Sequence, residues 1–147
     1  MKRFLSVILL FVGLHTTAQT KVKNDTEYRA VKLKIKDAQF LAFKDTAQKY
    51  IHQFIDAVNK KNSSCYFLVK SDFVEKGTHE HMWSQIKEYS NGSFKGIFID
   101  SPFEIKNIKR GNKVVISKKD VEDWGIYNLR NEKIAGGFSD KYLKSQK

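Results

Sequence analysis

From Ala38 onward, the hydrophobic period of this chain changes close to residue 62, and that change most limits the folds available to it. From Ala38 to about Lys60 there is no glycine or proline, and apolar side chains recur at steps of three and four residues, which is typical of an amphipathic helix. Beyond residue 62 come short runs rich in β-branched and aromatic residues, separated by turn signals such as Asn91-Gly92. A helix followed by hairpin-linked strands predicts an α+β fold.

The first element is predicted as one long N-terminal amphipathic helix of roughly six turns. Asp37 is a suitable N-cap, and Lys60-Lys61 places cations at the C-terminal end of the helix dipole. Its broad apolar side is expected to pack on one face of a sheet. The apolar stripe consists of Leu41, Ala47, Ile51, Phe54, Ile55 and Val58.

The remaining elements are predicted as a curled, mainly antiparallel meander sheet, because each strand is joined to the next by a short turn. Phe103–Ile108 is expected to continue the meander, and Ser139 could cap a short C-terminal helix over Asp140–Lys144. The predicted strands are Cys65–Val74, His79–Tyr89, Phe94–Ile99, Lys113–Ser117, Trp124–Asn128 and Ile134–Ala135.

The N-terminus has the three regions of a secretory signal peptide. Lys2 and Arg3 precede an apolar run, and Thr16-Thr17-Ala18 supplies small residues for cleavage after Ala18. The run is shorter than the roughly 20 residues that span a bilayer, so we expect no transmembrane segment after cleavage, although an uncleaved anchor stays open. We predict a signal peptide over residues 1–18, a flexible or edge-strand lead-in over 19–36, a single domain over 37–147, and export to the periplasm or the medium.

The amino-acid composition limits the kinds of partner that this protein is expected to bind. The net charge of +11 indicates a basic protein, but nearly all of the cations beyond the signal are lysines, with arginine only at Arg29, Arg110 and Arg130. Export and the scarcity of arginine argue against nucleic acid, which leaves an unknown protein or an anionic envelope ligand. The single cysteine, Cys65, excludes an internal disulfide framework.

One short stretch, Gly77–Trp83, gathers the residues with chemical potential. His79 and His81 would share one face of a strand, whereas Glu80 would point to the other, so Glu80 and His81 cannot act together on one substrate. The spacing is not that of the helical zinc motif, and a third ligand would have to come from Glu122 or Asp123. No serine or cysteine lies in a nucleophile elbow, and the glycines form no phosphate-binding loop. We therefore predict no catalytic residue, no metal ligand and no cofactor.

Several short motifs, in their order and spacing over roughly Ala38 to Leu143, resemble the YegJ-like family, domain of unknown function 2314. The resemblance implies a small bacterial protein, in some cases exported, with a helix followed by a mainly antiparallel sheet and with no established activity. It points to seven candidate binding residues: Glu80, His81, Trp83, Asp123, Trp124, Gly136 and Gly137. The motifs are Phe67-Leu68-Val69-Lys70, Glu80-His81-Met82-Trp83, Phe94-Lys95-Gly96, Val121-Glu122-Asp123-Trp124 and Gly136-Gly137-Phe138-Ser139.

These observations favour a non-catalytic binding or interaction module, with a shallow surface near His81, Trp83, Asp123 and Trp124. A hydrolase or metal-dependent enzyme using Glu80, His81 and Asp123 is the first alternative. A toxin-neutralising or envelope-stress partner protein is the second.

Overall fold

A computed structural model describes residues 37–140 and residue 142. The predicted signal peptide and lead-in, residues 1–36, lie outside the described residues. No helix within the described part is long and apolar enough to cross a membrane. The elements are α1 (Ala38–Lys49), α2 (Ile51–Lys60), β1 (Cys65–Glu75), β2 (Thr78–Ser90), β3 (Ser93–Phe98), β4 (Lys113–Ser117), β5 (Val121–Asn128) and β6 (Lys133–Gly136).

The single long helix predicted over residues 38–60 is wrong, because two shorter helices meet at Tyr50. Tyr50 has φ −101° and ψ 8°, which takes its backbone out of the helical region. The indole N–H of Trp124 donates to the carbonyl oxygen of Ala47 over 2.9 Å. In a continuous helix that oxygen would accept from the N–H of Ile51. The interruption thus involves a side chain far away in sequence, which a local period cannot reveal.

The predicted meander is also wrong, because the sheet order is β4-β3-β2-β1-β5-β6. β1 to β4 follow one another, but β5 returns to pair with the free side of β1. The side-chain amide of Gln48 in α1 donates to the carbonyl oxygens of Lys118 and Val121, at 3.0 and 2.6 Å, and so holds this crossing. Phe103–Ile108 is not a strand. It belongs to an irregular segment, the 101–108 loop. All the pairings in the sheet are antiparallel.

The two ends of the described chain meet. Asp37 caps α1, with one carboxylate oxygen accepting from the N–H groups of Gln39 and Phe40 at 3.0 and 2.9 Å. Its other oxygen accepts from the hydroxyl of Tyr142. Asp140 and Tyr142 have helical backbone, while the other residues of the predicted C-terminal helix, Lys141 and 143–144, lie outside the described residues.

The core lies between α2 and one face of the sheet, here called the inner face. Phe54 of α2 is fully buried, and its ring centroid lies 5.4 Å from those of both Phe94 and Trp124. Side chains alternate along strands, so the residues between inner-face positions belong to the opposite, outer face. The outer face of the three central strands comprises Tyr66, Leu68, Lys70 and Asp72 of β1, His79, His81, Trp83 and Gln85 of β2, and Asp123, Gly125 and Tyr127 of β5.

Candidate functional site

Glu80 lies on the inner face, where it holds the 101–108 loop. Its carboxylate accepts hydrogen bonds from the backbone N–H groups of Phe103, Glu104 and Ile105, at 2.8, 2.6 and 2.8 Å. Glu75 holds the same loop, because its carboxylate accepts a hydrogen bond from the N–H of Lys106 over 2.5 Å. A carboxylate that is occupied by three amides is a structural acceptor, and it is directed away from the outer face.

The same contacts shift the ionisation of Glu80. Burial by itself raises the pKa of this carboxyl group, but the hydrogen bonds from Phe103, Ile105 and Glu104, together with the charge of Lys106, outweigh burial and leave the pKa below its ordinary value. Glu80 is therefore an anion at neutral pH and has no proton to deliver as a general acid.

Asp123 holds the C-terminal turn, residues 137–140. Its side chain is fully enclosed and accepts from the N–H and hydroxyl of Ser139 at 2.9 and 2.6 Å, from the N–H of Phe138 at 3.2 Å and from its neighbour Trp124 at 2.8 Å. Burial raises the pKa of Asp123, and these hydrogen bonds oppose the shift only in part. Its burial and its hydrogen bonds give Asp123 a structural role.

Trp124, Gly136 and Gly137 belong to the same structural unit. Trp124 is buried on the inner face, where its indole packs against Phe54 and Phe138. Gly136 has φ +77°, and a Cβ atom there would lie 2.1 Å from the carbonyl oxygen of Trp124, so only glycine fits. Gly137 also has positive φ, and its N–H donates to that same oxygen over 2.7 Å.

His81 and Trp83 differ from the other candidates, because both are half-buried on the outer face. Trp83 is the cross-strand partner of Lys70, and the Lys70 ammonium lies 5.0 Å from the centre of the indole ring. Only 5% of Lys70 is exposed. Burial lowers the pKa of Lys70, and the nearby carboxylates Asp123, Asp140 and Asp100 oppose that shift. The ring of Trp83 thus covers a buried cation.

Each of the two histidines on β2 contacts a carboxylate through Nδ1. His81 Nδ1 lies 2.6 Å from Glu122 Oε2, and His79 Nδ1 lies 2.6 Å from Asp72 Oδ2. Glu122 is the extra residue where the register of β1 and β5 shifts. Lys44 of α1 lies 3.8 Å from Glu122.

Lys70, Asp72 and Glu122 were not predicted as site residues. Lys70 and Asp72 alternate with Val69, Ser71 and Phe73 along β1, so two charged residues at a spacing of two inside a largely apolar strand were a usable signal for the outer face. Glu122 had no such signal, since its position depends on the bulge between two strands.

Two other features bear on the chemistry. Within the described residues, no group of three or more histidine, cysteine, aspartate and glutamate side chains is arranged to hold a metal ion. A cavity of about 470 Å³ has none of the seven candidate residues in its lining, although Phe73, the cross-strand partner of Glu80, contributes to it. Its lining consists of Phe73, Val74, Asn107, Ile108, Asn112 and Lys113.

The fold and the site define a small α+β domain with a six-stranded antiparallel sheet and two short helices packed against it. In this domain two buried carboxylates hold irregular segments, and histidine and tryptophan side chains lie on the outer face. The chain belongs to the family described as "Uncharacterized protein conserved in bacteria (DUF2314)", whose profile matches residues 37–147. The resemblance noted in the sequence is thereby confirmed.

A relative in the same family extends the comparison. The chain is 37% identical over 93 residues to "Uncharacterized protein YegJ" of Escherichia coli (strain K12). The matched region covers 63% of this chain and 59% of the length of that relative. No solved structure matches the chain significantly.

Proposed function

We propose that this protein is an exported, non-catalytic binding module that contacts its ligand through the outer face of the sheet. The observation that carries the proposal is the position of Trp83, a large aromatic side chain that is half-exposed on that face above the buried ammonium of Lys70. Trp is among the residues that contribute most to binding energy at interfaces.

Further aromatic surface extends this region. Tyr66 and Tyr127 are cross-strand partners whose rings stack at 5.3 Å with an interplanar angle of 11°. The ring of Tyr127 lies over Gly125, where a Cβ atom would be 2.5 Å from a ring carbon. Half-buried Leu68 lies on the same face. A sheet face with several partly exposed rings can take the flat apolar surface of a ligand.

We propose a non-catalytic protein because of where the carboxylates of Glu80 and Asp123 lie. Both carboxylates would be required by a hydrolase that used Glu80, His81 and Asp123, yet both are buried and occupied by backbone amides. His81 is directed instead to Glu122. This distribution supports binding over acid–base chemistry.

An anionic envelope polymer is the ligand class that charge favours. The net charge is +11 for the full chain and +9 without Lys2 and Arg3 of the proposed signal peptide. Lys113 extends the outer face toward β4, since it pairs with Ile97, which pairs with Gln85. We expect the protein to co-sediment with isolated Gram-negative cell envelopes, and the bound fraction to fall as salt increases.

Replacing Trp83 with alanine should weaken this co-sedimentation at least tenfold, about 1.4 kcal/mol. Because the indole also covers the buried Lys70 ammonium, the free energy of unfolding should fall by about 1–2 kcal/mol, which leaves the domain folded in the binding assay. Phe103→Ala is the matched control, because Phe103 is a 72% exposed aromatic on the 101–108 loop. Wild-type affinity in the Trp83 variant, or no co-sedimentation of the wild type, would contradict the proposed site and ligand.

Export is tested separately. Expression of the full chain in a Gram-negative host should give a periplasmic product that begins at Gln19, because the peptidase would cleave after Ala18. Intact-mass measurement and N-terminal sequencing of the periplasmic fraction check this. Recovery of the chain only in the cytoplasm with its N-terminal segment intact would count against export.

A further inference from the structure

We propose that His79 and His81 bind one divalent transition-metal ion, of the zinc and nickel type, through their Nε2 atoms. This site is independent of the proposed envelope binding. The two side chains lie two residues apart on the outer face of β2. Alternate Cα atoms on a strand are roughly 6.6 Å apart, a span that two imidazole rings can bridge around one ion with metal–nitrogen bonds of about 2.0–2.1 Å.

The orientation of the rings carries the inference. An ionised carboxylate can only accept, so each Nδ1 that lies 2.6 Å from a carboxylate oxygen must donate, and the lone pair of the neutral ring is then on Nε2. In the described part of the chain, neither Nε2 has a hydrogen-bond partner. Metal-binding histidines almost always donate their other ring N–H to a carboxylate, a backbone carbonyl or water.

Both rings are oriented from the same side. Asp72 is on β1 and Glu122 is on β5, and both strands lie on the same side of β2 in the sheet. Both histidines therefore present Nδ1 toward β1 and β5, and the ring of His81 also packs against Phe40 of α1, with the ring centroids 5.1 Å apart. The His79–Asp72 and His81–Glu122 pairs thus have the same arrangement, although their carboxylates come from different strands.

The local charge also favours a cation. Asp72 and Glu122 are acidic, and Lys44 is 3.8 Å from Glu122, which offsets part of that charge. The second oxygen of Asp72, Oδ1, is buried and has no hydrogen-bond partner. An unsatisfied buried carboxylate oxygen is costly, and a cation bound nearby would offset part of that cost.

The predicted site is an open one. The described residues offer no third histidine, cysteine or acidic ligand in range, so water or a group from a ligand would complete the coordination of the ion. Imidazole donors suit zinc, nickel and copper rather than magnesium or calcium.

The test is titration of untagged protein with Zn²⁺ by calorimetry, with Co²⁺ absorption and imidazole ¹⁵N NMR as second readouts. Wild-type protein should bind one ion per chain and show shifted Nε2 resonances for both histidines. His79→Ala and His81→Ala should each abolish this binding. Asp72→Asn, which changes only the group that orients His79, should weaken it by roughly 10–100-fold.

His52→Ala is the matched control, because His52 is an exposed histidine on α2, and this variant should bind like the wild type. If His81→Ala fails to fold, the exposed His79 variant and the NMR shifts still decide the question. The proposal is overturned if the wild type binds no ion at millimolar metal, or if the His79 variant binds as tightly as the wild type. Trp83→Ala should keep the metal while losing envelope binding, so each proposal can fail without the other.

Discussion

Replacing Asp123 with alanine is expected to lower the free energy of unfolding by about 3 kcal/mol. The carboxylate is fully buried, and its removal leaves the N–H groups of Trp124, Phe138 and Ser139 without their acceptor. The C-terminal turn would then lose its attachment to β5. For a domain of this size the melting temperature should fall by about 10 °C or more, as measured by circular dichroism during thermal and urea unfolding.

Asp120→Ala is the matched control for this substitution. Asp120 is an exposed aspartate three residues earlier, and the 3₁₀ turn that it ends has no side-chain cap hydrogen bond. Its replacement should change the stability by no more than about 0.5 kcal/mol. Equal stabilities of the Asp123 and Asp120 variants would show that the carboxylate of Asp123 is not structural. Asp123 would then again be a candidate binding residue.

Replacing Glu80 with alanine should have an effect of similar size, about 3 kcal/mol, because three backbone N–H groups lose one shared acceptor. Hydrogen exchange at Phe103, Glu104 and Ile105 should accelerate, since the 101–108 loop would be released locally. The matched control is Glu104→Ala, because the Glu104 side chain is exposed and only its backbone contacts Glu80. Unchanged exchange at these amides in the Glu80 variant would contradict the assignment.

The pH dependence of stability gives Glu80 a second signature. Its folded-state pKa is below the ordinary value, so its contribution is present above the unfolded pKa of about 4.3 and is lost as pH falls through the folded pKa. The difference in unfolding free energy between wild type and Glu80→Gln should therefore shrink as the pH falls below the unfolded pKa of about 4.3. A difference that stays constant over that range would exclude the shifted carboxyl group.

Asp123 has the opposite linkage. Its pKa is raised by burial, so its titration favours the folded state below the unfolded pKa of about 3.9, and this contribution is lost as pH rises through the folded pKa. Glu80 and Asp123 are both buried and both accept backbone hydrogen bonds, yet their pKa values are shifted in opposite directions. At Glu80 three amides and Lys106 outweigh burial, whereas at Asp123 burial outweighs its hydrogen bonds.

The sequence predicted only part of the candidate site, and there is a physical reason why the rest could not be predicted. Strand alternation alone placed Glu80 on the face opposite His81, and the structure has this arrangement. The sequence could not show that Asp123 and Trp124 are buried, because their partners, Ser139 and Ala47, lie 16 and 77 positions away in the sequence. Motif residues of a family can be structural acceptors as readily as binding residues.

The sequence by itself determined only local properties. The apolar period, the turn residues and the caps indicate where each element begins and ends, and strand alternation shows which residues of a strand share a face. These properties depend on residues within a few positions of one another. Tertiary structure alone decided the break at Tyr50, the return of β5 to β1, and the carboxylate that orients His81. Each of these depends on a contact between residues distant in sequence, such as the Trp124 indole on Ala47 or Glu122 on His81.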